Sequence, residues 1–188
     1  MPSFNGKHHL PINLEGKYLV GTTDLMTSSN SSNVFLRCYY PVKSSTSATD
    51  CFEHADKWTP WLPSLQYADG YMRFKFSNGI PLVARLFRWL IHNPFCPIIK
   101  DAQVMKMAKP LPVIVFSHGM GAMRTTYSLL LTRLASEGYF VAAVGKLNLD
   151  FQIYRVFHLL FKHEYTFRYS CFYMFVTLGS SPFMKITP

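Results

Sequence analysis

Residues 112–128, PVIVFSHGMGAMRTTYS, decide the fold. The first five form a short, continuous apolar run of the kind found in buried parallel strands. Gly119 and Gly121 then allow the backbone to turn sharply. The apolar residues that follow have helical spacing: Tyr127, Leu130, Leu131, Leu134 and Ala135. The stretch therefore predicts a strand, a glycine-rich turn and a helix in succession.

The residues after this helix complete a strand–helix–strand unit. Gly138 stands where the C-terminus of a helix favours a left-handed residue. Residues 139–144, YFVAAV, form a second buried apolar run. Two strands joined through a helix pair in parallel with a right-handed crossover. The predicted fold class is therefore α/β.

Upstream of this unit the patterns are weaker. Residues 34–40, VFLRCYY, are rich in aromatic and branched side chains and predict an early strand that Pro41 closes. A polar turn is predicted before it, over residues 28–33. Residues 42–81 show neither strand nor helix periodicity and predict a long structured loop that contains Trp58 and Trp61.

Residues 82–92 predict an amphipathic helix that ends before Pro94. Its apolar side chains fall at helical spacing: Leu82, Val83, Leu86, Phe87 and Leu90. Two interpretations stay open, a helix packed on its own core with solvated arginines, or a helix lying on a lipid surface. A helix of this length is too short to span a bilayer. Charged residues also interrupt every candidate span in residues 145–188.

The charge balance disfavours nucleic acid as a partner. The chain of 188 residues has a formal charge of +9, which attracts acidic partners. Only 15% of the residues are charged, however, and no dense run of Lys and Arg occurs. A membrane surface has the same sign of charge as a nucleic acid, and the apolar content of 49% suits it better.

The cysteine pattern predicts no metal site. The four cysteines are widely spaced, without a C-x-x-C pair or a Cys/His ligand spacing: Cys38, Cys51, Cys96 and Cys171. Ordinary buried or loop thiols are expected.

The first ten residues show no apolar run after a basic start, so no signal peptide is predicted. A cytoplasmic or peripheral-membrane location is therefore favoured.

Ser117 and His118 invite a catalytic interpretation. A serine nucleophile needs its base across the site, and a histidine adjacent to it in sequence is poorly placed to act as one. We expect instead that both side chains shape the turn through hydrogen bonds to nearby backbone.

Several segments of the chain resemble the platelet-activating factor acetylhydrolases of the plasma and intracellular type II kind. They are GTTDLM at 21–26, FLRCYYP at 35–41, WLP at 61–63, FSHGMGAMRTTYS at 116–128 and LASEGYFVAAV at 134–144. The resemblance covers residues 12–144. It implies a serine esterase with an α/β-hydrolase fold and a mostly parallel sheet.

The resemblance also implies a role for the glycine-rich turn. In this family the residue after His-Gly donates its backbone N–H to the oxyanion hole, which gives that role to Met120. His118, Gly119 and Gly121 would support the oxyanion loop. Fixed main-chain donors stabilise the negative charge of a tetrahedral intermediate without reorganising.

The rest of the family's catalytic machinery does not occur in this sequence. The family's nucleophile lies in a G-x-S-x-G elbow, followed by the Asp and the His of the triad. No G-x-S-x-G occurs in the 188 residues, and residues 145–150 read GKLNLD where the family continues with Glu-His-Arg-Asp. We therefore predict that residues 1–144 are the N-terminal part of an α/β-hydrolase domain that lacks its C-terminal catalytic half. Residues 145–188 are expected to be a divergent tail, non-native or unstructured.

The resulting hypothesis is a 1-alkyl-2-acetylglycerophosphocholine esterase family member in a truncated and inactive form. The family hydrolyses the sn-2 acetyl or short acyl ester of phospholipids through a Ser-His-Asp triad, without a metal or another cofactor. A phospholipid or lipid surface is the implied partner, contacted by the helix predicted at residues 82–92. Two alternatives stay open: a non-catalytic lipid-surface or partner-binding fragment, and a chain without stable function because its sheet edges are unprotected.

Overall fold

The computed structural model describes residues 2–11, 16–29, 32–44, 50–64, 66–67, 94–118, 122–145 and 174–178. Their elements are, in chain order, β1 (Ser3–Phe4), β2 (Lys7–His8), β3 (Tyr18–Ser29), β4 (Ser32–Ser44), a 3-10 segment (Asp50–Lys57), β5 (Trp58–Pro60), β6 (Phe95–Lys100), β7 (Val113–Ser117), α1 (Ser128–Ser136), β8 (Phe140–Gly145) and β9 (Met174–Leu178). Strands β1 and β2 pair with each other, and the other described strands form one sheet.

This sheet is mixed, with the strand order β5-β6-β3-β4-β8-β7-β9. The pairs β3/β6 and β7/β8 are parallel, and the other pairs are antiparallel. The expectation of a mostly parallel sheet is therefore wrong for the described strands. The reason lies partly in the connections, because β3 and β4 pair as far as Ser29 with Ser32, and strands joined so closely in sequence run antiparallel.

The predicted strand–helix–strand unit is confirmed. Strands β7 and β8 pair in parallel, from Val113 with Phe140 to Ser117 with Val144, and α1 lies between them in sequence. Gly138 follows the end of α1 with a φ of 105°, as its position in the sequence predicts. Its N–H donates to the carbonyl oxygen of Ala135 at 3.0 Å, which satisfies one of the open carbonyls of the helix end.

Strand β4 is longer than the sequence predicts at both ends. Most of the predicted turn at residues 28–33 belongs to β3 and β4, and β4 continues past Pro41 to Ser44. Pro41 is tolerated for two reasons. It lies beyond residues 35–39, which pair with β8, and the pairing of β4 with β3 shifts register next to it, between Leu19 and Val20. A missing N–H therefore breaks no regular ladder there.

The region expected to be a loop, residues 42–81, contains regular structure. The 3-10 segment and β5 lie within it, and Trp58 is buried with its indole Nε1 donating to the Cys51 carbonyl oxygen at 3.0 Å.

Strands β3 and β6 were not predicted at all. Residues 68–93 lie outside the described residues, so the helix expected at 82–92 is not tested.

Apolar side chains pack against both faces of the sheet, because successive residues of a strand point to opposite sides. One face packs against Leu131 and Ala135 of α1 and buries Val20, Tyr39, Cys96, Ile98, Ile114, Phe116, Val141 and Ala143. The other face buries Leu36, Cys38, Tyr40, Val113, Val115, Phe140, Ala142 and Val144. Arg37 stands between Leu36 and Cys38 in β4, so its side chain lies on the α1 face.

Candidate functional site

The turn singled out in the sequence begins at the C-terminal end of β7. Ser117 is the last residue of that strand and pairs with Val144 of the parallel strand β8. Ser117 and His118 are both buried. Gly119, Met120 and Gly121 lie outside the described residues, so the predicted oxyanion donor and its two glycines stay predictions.

The segment that leads from this turn into α1 is held by its own hydrogen bonds. The Met123 N–H donates to Thr126 Oγ1 at 3.0 Å, and the Thr126 N–H donates to the Met123 carbonyl oxygen at 3.0 Å. The Ser128 hydroxyl donates to the Thr125 carbonyl oxygen at 2.7 Å, at the start of the helix. These bonds fix the backbone immediately after the turn.

Two side chains from distant parts of the sequence hold the same segment. Trp61 donates its indole Nε1 to the Thr125 carbonyl oxygen at 2.7 Å. Tyr39 of β4 shares a hydrogen bond of 2.9 Å with the Ser128 hydroxyl in the core, where burial raises the pKa of Tyr39. The phenol is therefore neutral and structural, and the segment after the turn is tied to both β4 and the residues after β5.

Three charged side chains meet on the α1 face of the sheet, close to the ends of β7 and β8. Arg37 of β4 donates Nε and Nη2 to the two carboxylate oxygens of Asp24 in β3, at 2.9 and 2.7 Å. Arg124, from the segment after the turn, brings its Nε to 3.6 Å from Asp24 Oδ1. Both arginine side chains are almost fully buried, at 2% and 3% exposure, whereas the Asp24 side chain is 34% exposed.

The electrostatics of this cluster favour the ionised carboxylate. Partial burial acts to raise the pKa of Asp24, but the hydrogen bonds and positive charge of Arg37, and then the positive charge of Arg124, outweigh it. The pKa of Asp24 therefore lies below its usual value. Burial likewise acts to lower the pKa of Arg37, and the bond to Asp24 more than compensates, so that this pKa is raised.

Arg124 is also enclosed by aromatic side chains. Its guanidinium lies 3.9 Å from the centroid of the Phe35 ring and 5.3 Å from that of the Tyr67 ring, and its Nη1 donates to the Tyr67 hydroxyl at 3.1 Å. Stacking on aromatic faces is characteristic of arginine. These contacts hold the Arg124 side chain in a defined orientation.

Sequence reasoning missed this cluster, although one signal for it was present. Arg37 interrupts an otherwise apolar and aromatic run at residues 34–40, and a charge in a buried strand requires a partner. Nothing in the sequence identifies Asp24 as that partner, because the pairing of these two residues follows from the register of the β3–β4 hairpin.

The described cysteines are buried thiols, as expected: Cys38, Cys51 and Cys96. Burial raises the pKa of Cys38 and of Cys96 to about 12 and that of Cys51 to about 11, so all three are protonated at neutral pH. Cys171 lies outside the described residues. Across the part of the chain that the structure describes, no three His, Cys, Asp or Glu side chains are arranged to hold a metal ion.

A surface groove of about 650 Å³ lies at the other end of the sheet. Tyr18, Pro112 and Tyr139, which stand at or just before the N-terminal ends of β3, β7 and β8, contribute to its wall. Parallel strands of α/β folds carry their sites at the carboxyl ends. The groove is therefore distinct from the turn that follows β7.

The predicted lipid-surface residues lie outside the described residues: Leu82, Val83, Leu86, Phe87 and Leu90. Among the helices that are described, none has the length and apolarity needed to cross a membrane. Contact with a lipid surface therefore stays a prediction.

Comparison with known proteins identifies relatives of the chain. Residues 3–148 match the family described as Platelet-activating factor acetylhydrolase, isoform II. The platelet-activating factor acetylhydrolase of Gallus gallus is 39% identical over 130 residues, 69% of this chain and 28% of the relative. That of Bos taurus is 36% identical over 129 residues, 69% of this chain and 26% of the relative. The chain thus spans about a quarter of the length of these relatives.

Among solved structures, a ferulic acid esterase from Streptomyces cinnamoneus matches with 20% sequence identity and a TM-score of 0.47, over 74% of this chain and 36% of that one. The family match reaches slightly further at both ends than the resemblance at residues 12–144, and it confirms that resemblance. Since it covers residues 3–148, most of the sequence, the chain belongs to the platelet-activating factor acetylhydrolase family of isoform II.

Proposed function

We propose that this polypeptide is part of an esterase that hydrolyses the sn-2 acetyl or short acyl ester of phospholipids, and that it contributes one half of the oxyanion hole. The observation that supports this most directly is the position of the turn. It leaves the buried end of β7, beside the parallel strand β8, and is followed by a segment that Trp61 and Tyr39 hold in place. Carboxyl ends of parallel strands are where α/β enzymes carry their sites.

The chemistry assigned to the turn is stabilisation of the tetrahedral intermediate. Attack on the ester carbonyl places negative charge on its oxygen, and the backbone N–H of Met120 is proposed to donate to that oxygen. His118, Gly119 and Gly121 support the loop that aims the donor. Removal of one such donor typically costs about 2.7–4 kcal/mol of transition-state stabilisation.

The nucleophile is proposed to come from outside these 188 residues. Ser117 is buried at the end of β7 and precedes His118 directly, so neither residue fits the geometry of a nucleophile and its base. No G-x-S-x-G elbow occurs in the sequence. We therefore infer that residues 1–144 form part of an α/β-hydrolase domain and that residues 145–188 are a divergent tail. We also infer that the 188-residue chain alone is catalytically inactive.

The first test is to sequence the native transcript across the codons for residues 143–146 and to assay the esterase activity of its product. A reading frame that continues into a G-x-S-x-G elbow should give a product that hydrolyses a 2-acetyl phospholipid much faster than a 2-palmitoyl one. Replacement Met120→Pro in that product, which removes the N–H, should lower kcat by about 10²–10³-fold with little change in KM. An active product in which Met120→Pro changes nothing would contradict the role of the turn.

A second test asks whether the 188-residue chain carries a reactive serine. A fluorophosphonate probe labels activated serine nucleophiles, and we expect it to leave this chain unlabelled. The matched control is Ser117→Ala. Labelling of the unmodified chain that disappears in Ser117→Ala would identify Ser117 as a nucleophile and refute the proposal.

We also propose that residues 82–92 contact the lipid surface, which the apolar spacing of Leu82, Val83, Leu86, Phe87 and Leu90 supports. Cosedimentation with phosphatidylcholine vesicles should weaken several-fold in Leu86→Asp. The matched control Arg85→Asp lies on the polar side of the same pattern. Equal loss of binding in both variants would indicate charge effects rather than insertion of an apolar face.

A further inference from the structure

Arg37 shows how a buried guanidinium is satisfied in this fold. Its Nε and Nη2 share one edge of the planar group, and they donate to the two oxygens of Asp24 at 2.9 and 2.7 Å. Its Nη1 lies 3.3 Å from each of the carbonyl oxygens of Pro60 and Trp61. Side-on pairing of this kind is the geometry in which arginine binds carboxylates most strongly.

The same edge of Arg124 has only a long ion pair with Asp24, at 3.6 Å from Nε to Oδ1. Within the described part of the chain, neither Nε nor Nη2 of Arg124 has a hydrogen-bond acceptor, although both atoms are buried. Asp24 does not fill the gap, because its Oδ1 lies 3.6 Å from Arg124 Nε and already accepts a bond from Arg37. A buried donor without an acceptor is costly, so the unused edge requires an explanation.

The surroundings of Arg124 define what the edge can accept. The Phe35 ring covers one face of the guanidinium at 3.9 Å, and the Tyr67 hydroxyl accepts a hydrogen bond from Nη1, so the donors that still lack an acceptor are those of the buried Nε–Nη2 edge. Arg37, Asp24 and Arg124 together carry one net positive charge in a mostly buried cluster. A planar anion with two oxygens and one negative charge matches both the geometry and the charge.

We propose that the Nε–Nη2 edge of Arg124 is a binding site for one carboxylate group. The carboxylate comes either from a side chain of the polypeptide or from a small acid in solution, and the chemistry is the same for both. The site is separate from the proposed oxyanion donor and does not depend on esterase activity. It would add to the contacts that orient Arg124, four residues after Met120, and thereby to those that hold the segment after the turn.

Position 145 offers a way to supply the carboxylate. Gly145 ends β8, and a Cβ atom added there would lie 3.5 Å from Arg124 Cδ. The same Cβ would lie 3.1 Å from the Phe35 carbonyl oxygen, a close contact that any side chain at this position shares. A comparison of Gly145→Glu with Gly145→Gln therefore cancels the steric cost and isolates the charge.

The first experiment compares the melting temperatures of these two variants of the whole chain. Gly145→Glu should melt at least about 4 °C above Gly145→Gln at pH 7. The gap should close as the pH falls below about 4, where the carboxylate is protonated. Gln103→Glu, an exposed position, controls for the general benefit of a negative charge on a basic chain. A gap no larger than that produced by Gln103→Glu overturns the side-chain source.

The second experiment tests a carboxylate from solution. Sodium formate should raise the melting temperature of the unmodified chain more than sodium chloride of equal ionic strength does. Arg124→Lys keeps the charge but lacks the paired donors, and should abolish the difference. Arg133→Lys on α1, whose side chain is 43% exposed, is the matched control and should leave the difference unchanged.

The two experiments together decide the proposal. An effect of Gly145→Glu alone shows that the site accepts a side-chain carboxylate, and an effect of formate shows that it accepts a small acid. Failure of both overturns the site, as does an equal effect in Arg124→Lys. If Arg124→Lys does not fold, NMR titration of the carboxyl introduced by Gly145→Glu replaces it, and a pKa at or above the usual value of about 4.3 would refute the pairing.

Discussion

At the scale of single residues, Arg37 shows how this sequence keeps a charge inside a sheet. The other residues of the run at 34–40 are apolar or aromatic, and the Arg37 side chain is 2% exposed. Burial of an unpaired guanidinium would be prohibitive, whereas bidentate pairing with Asp24 and two carbonyl acceptors makes it tolerable. The pair also couples β3 to β4 at a defined register.

Asp24→Asn should therefore destabilise the fold far more than removal of a carboxylate that pairs with an exposed arginine. The substitution leaves the buried cations of Arg37 and Arg124 without their counter-charge, and we expect a loss of about 3 kcal/mol in the free energy of unfolding. The control is Glu137→Gln, which breaks a half-exposed i,i+4 pair with Arg133 worth about 0.3–0.5 kcal/mol. Urea denaturation measures both. Equal losses would show that Asp24 does not compensate the buried charges.

The same pair should make the protein sensitive to acid. The pKa of Asp24 is lower in the folded state than in the unfolded state, so its stabilising contribution is complete above about pH 3.9 and is lost as the pH falls through the folded pKa. Melting temperatures of the unmodified chain and of Asp24→Asn should therefore converge below about pH 4. A separation that stays constant between pH 7 and pH 3 would rule out this linkage.

At the scale of elements, α1 is held mainly by one side. Leu131 is fully buried against the α1 face of the sheet, whereas its neighbour Leu130 is 44% exposed. The helix thus presents a narrower apolar stripe than the spacing in the sequence predicts, because Leu130 was expected on that stripe and is exposed instead.

Leu131→Ala and Leu130→Ala provide a matched test of this orientation. The first creates a cavity in the core and should cost about 2–5 kcal/mol in the free energy of unfolding. The second removes a surface side chain and should change it by less than about 0.5 kcal/mol. Denaturant titrations of the two variants give the comparison. A reversed order would mean that α1 packs with another face than the one described.

The end of α1 depends on a backbone conformation rather than on packing. Gly138 has a φ of 105°, and an added Cβ would lie 3.3 Å from the Tyr18 ring. Gly138→Ala should cost about 1–2 kcal/mol of stability, because a left-handed conformation is unfavourable for alanine. Gly138→Asn meets the same contact but tolerates positive φ better, and should lose less. Similar losses in both variants would assign the effect to Tyr18 instead.

The elements that the sequence predicts well are those whose signal is local. The apolar runs of β7 and β8, the spacing from Tyr127 to Ala135 and Gly138 together specify the strand–helix–strand unit. Strand β3 was missed because its sequence, with Gly21, Asp24 and three threonines, lacks an apolar pattern of its own. It becomes a strand by pairing along its whole length with β4, which is a non-local effect.

At the scale of the whole molecule, the candidate site shows the same division between local and distant information. The glycine-rich turn is visible in the sequence, but the residues that hold the segment after it are not. Trp61 reaches Thr125 across 64 positions and Tyr39 reaches Ser128 across 89. Such contacts follow from the order of strands in the sheet, and no periodicity in the sequence encodes that order.

The strand order also predicts where the described fold is most stable. Strands β4 and β8 lie in the middle of the sheet, each paired on both sides, and their buried side chains belong to both apolar clusters. Strand β5 pairs only with β6 among the described strands, and the β1–β2 pair is short and mostly exposed. Opening of the centre therefore breaks more contacts than opening of either periphery.

Native-state hydrogen exchange, measured residue by residue, should reflect this difference. We expect the slowest amides in residues 36–40 of β4 and 141–144 of β8, with exchange free energies near that of global unfolding. Amides of β1 and β2 should exchange at least about 100-fold faster, because their opening leaves the sheet intact. Leu131→Ala should lower the protection of β4 and β8 together while leaving β1 and β2 unchanged. Protection that is uniform across these strands would mean that the β1–β2 pair and the central sheet unfold as one unit.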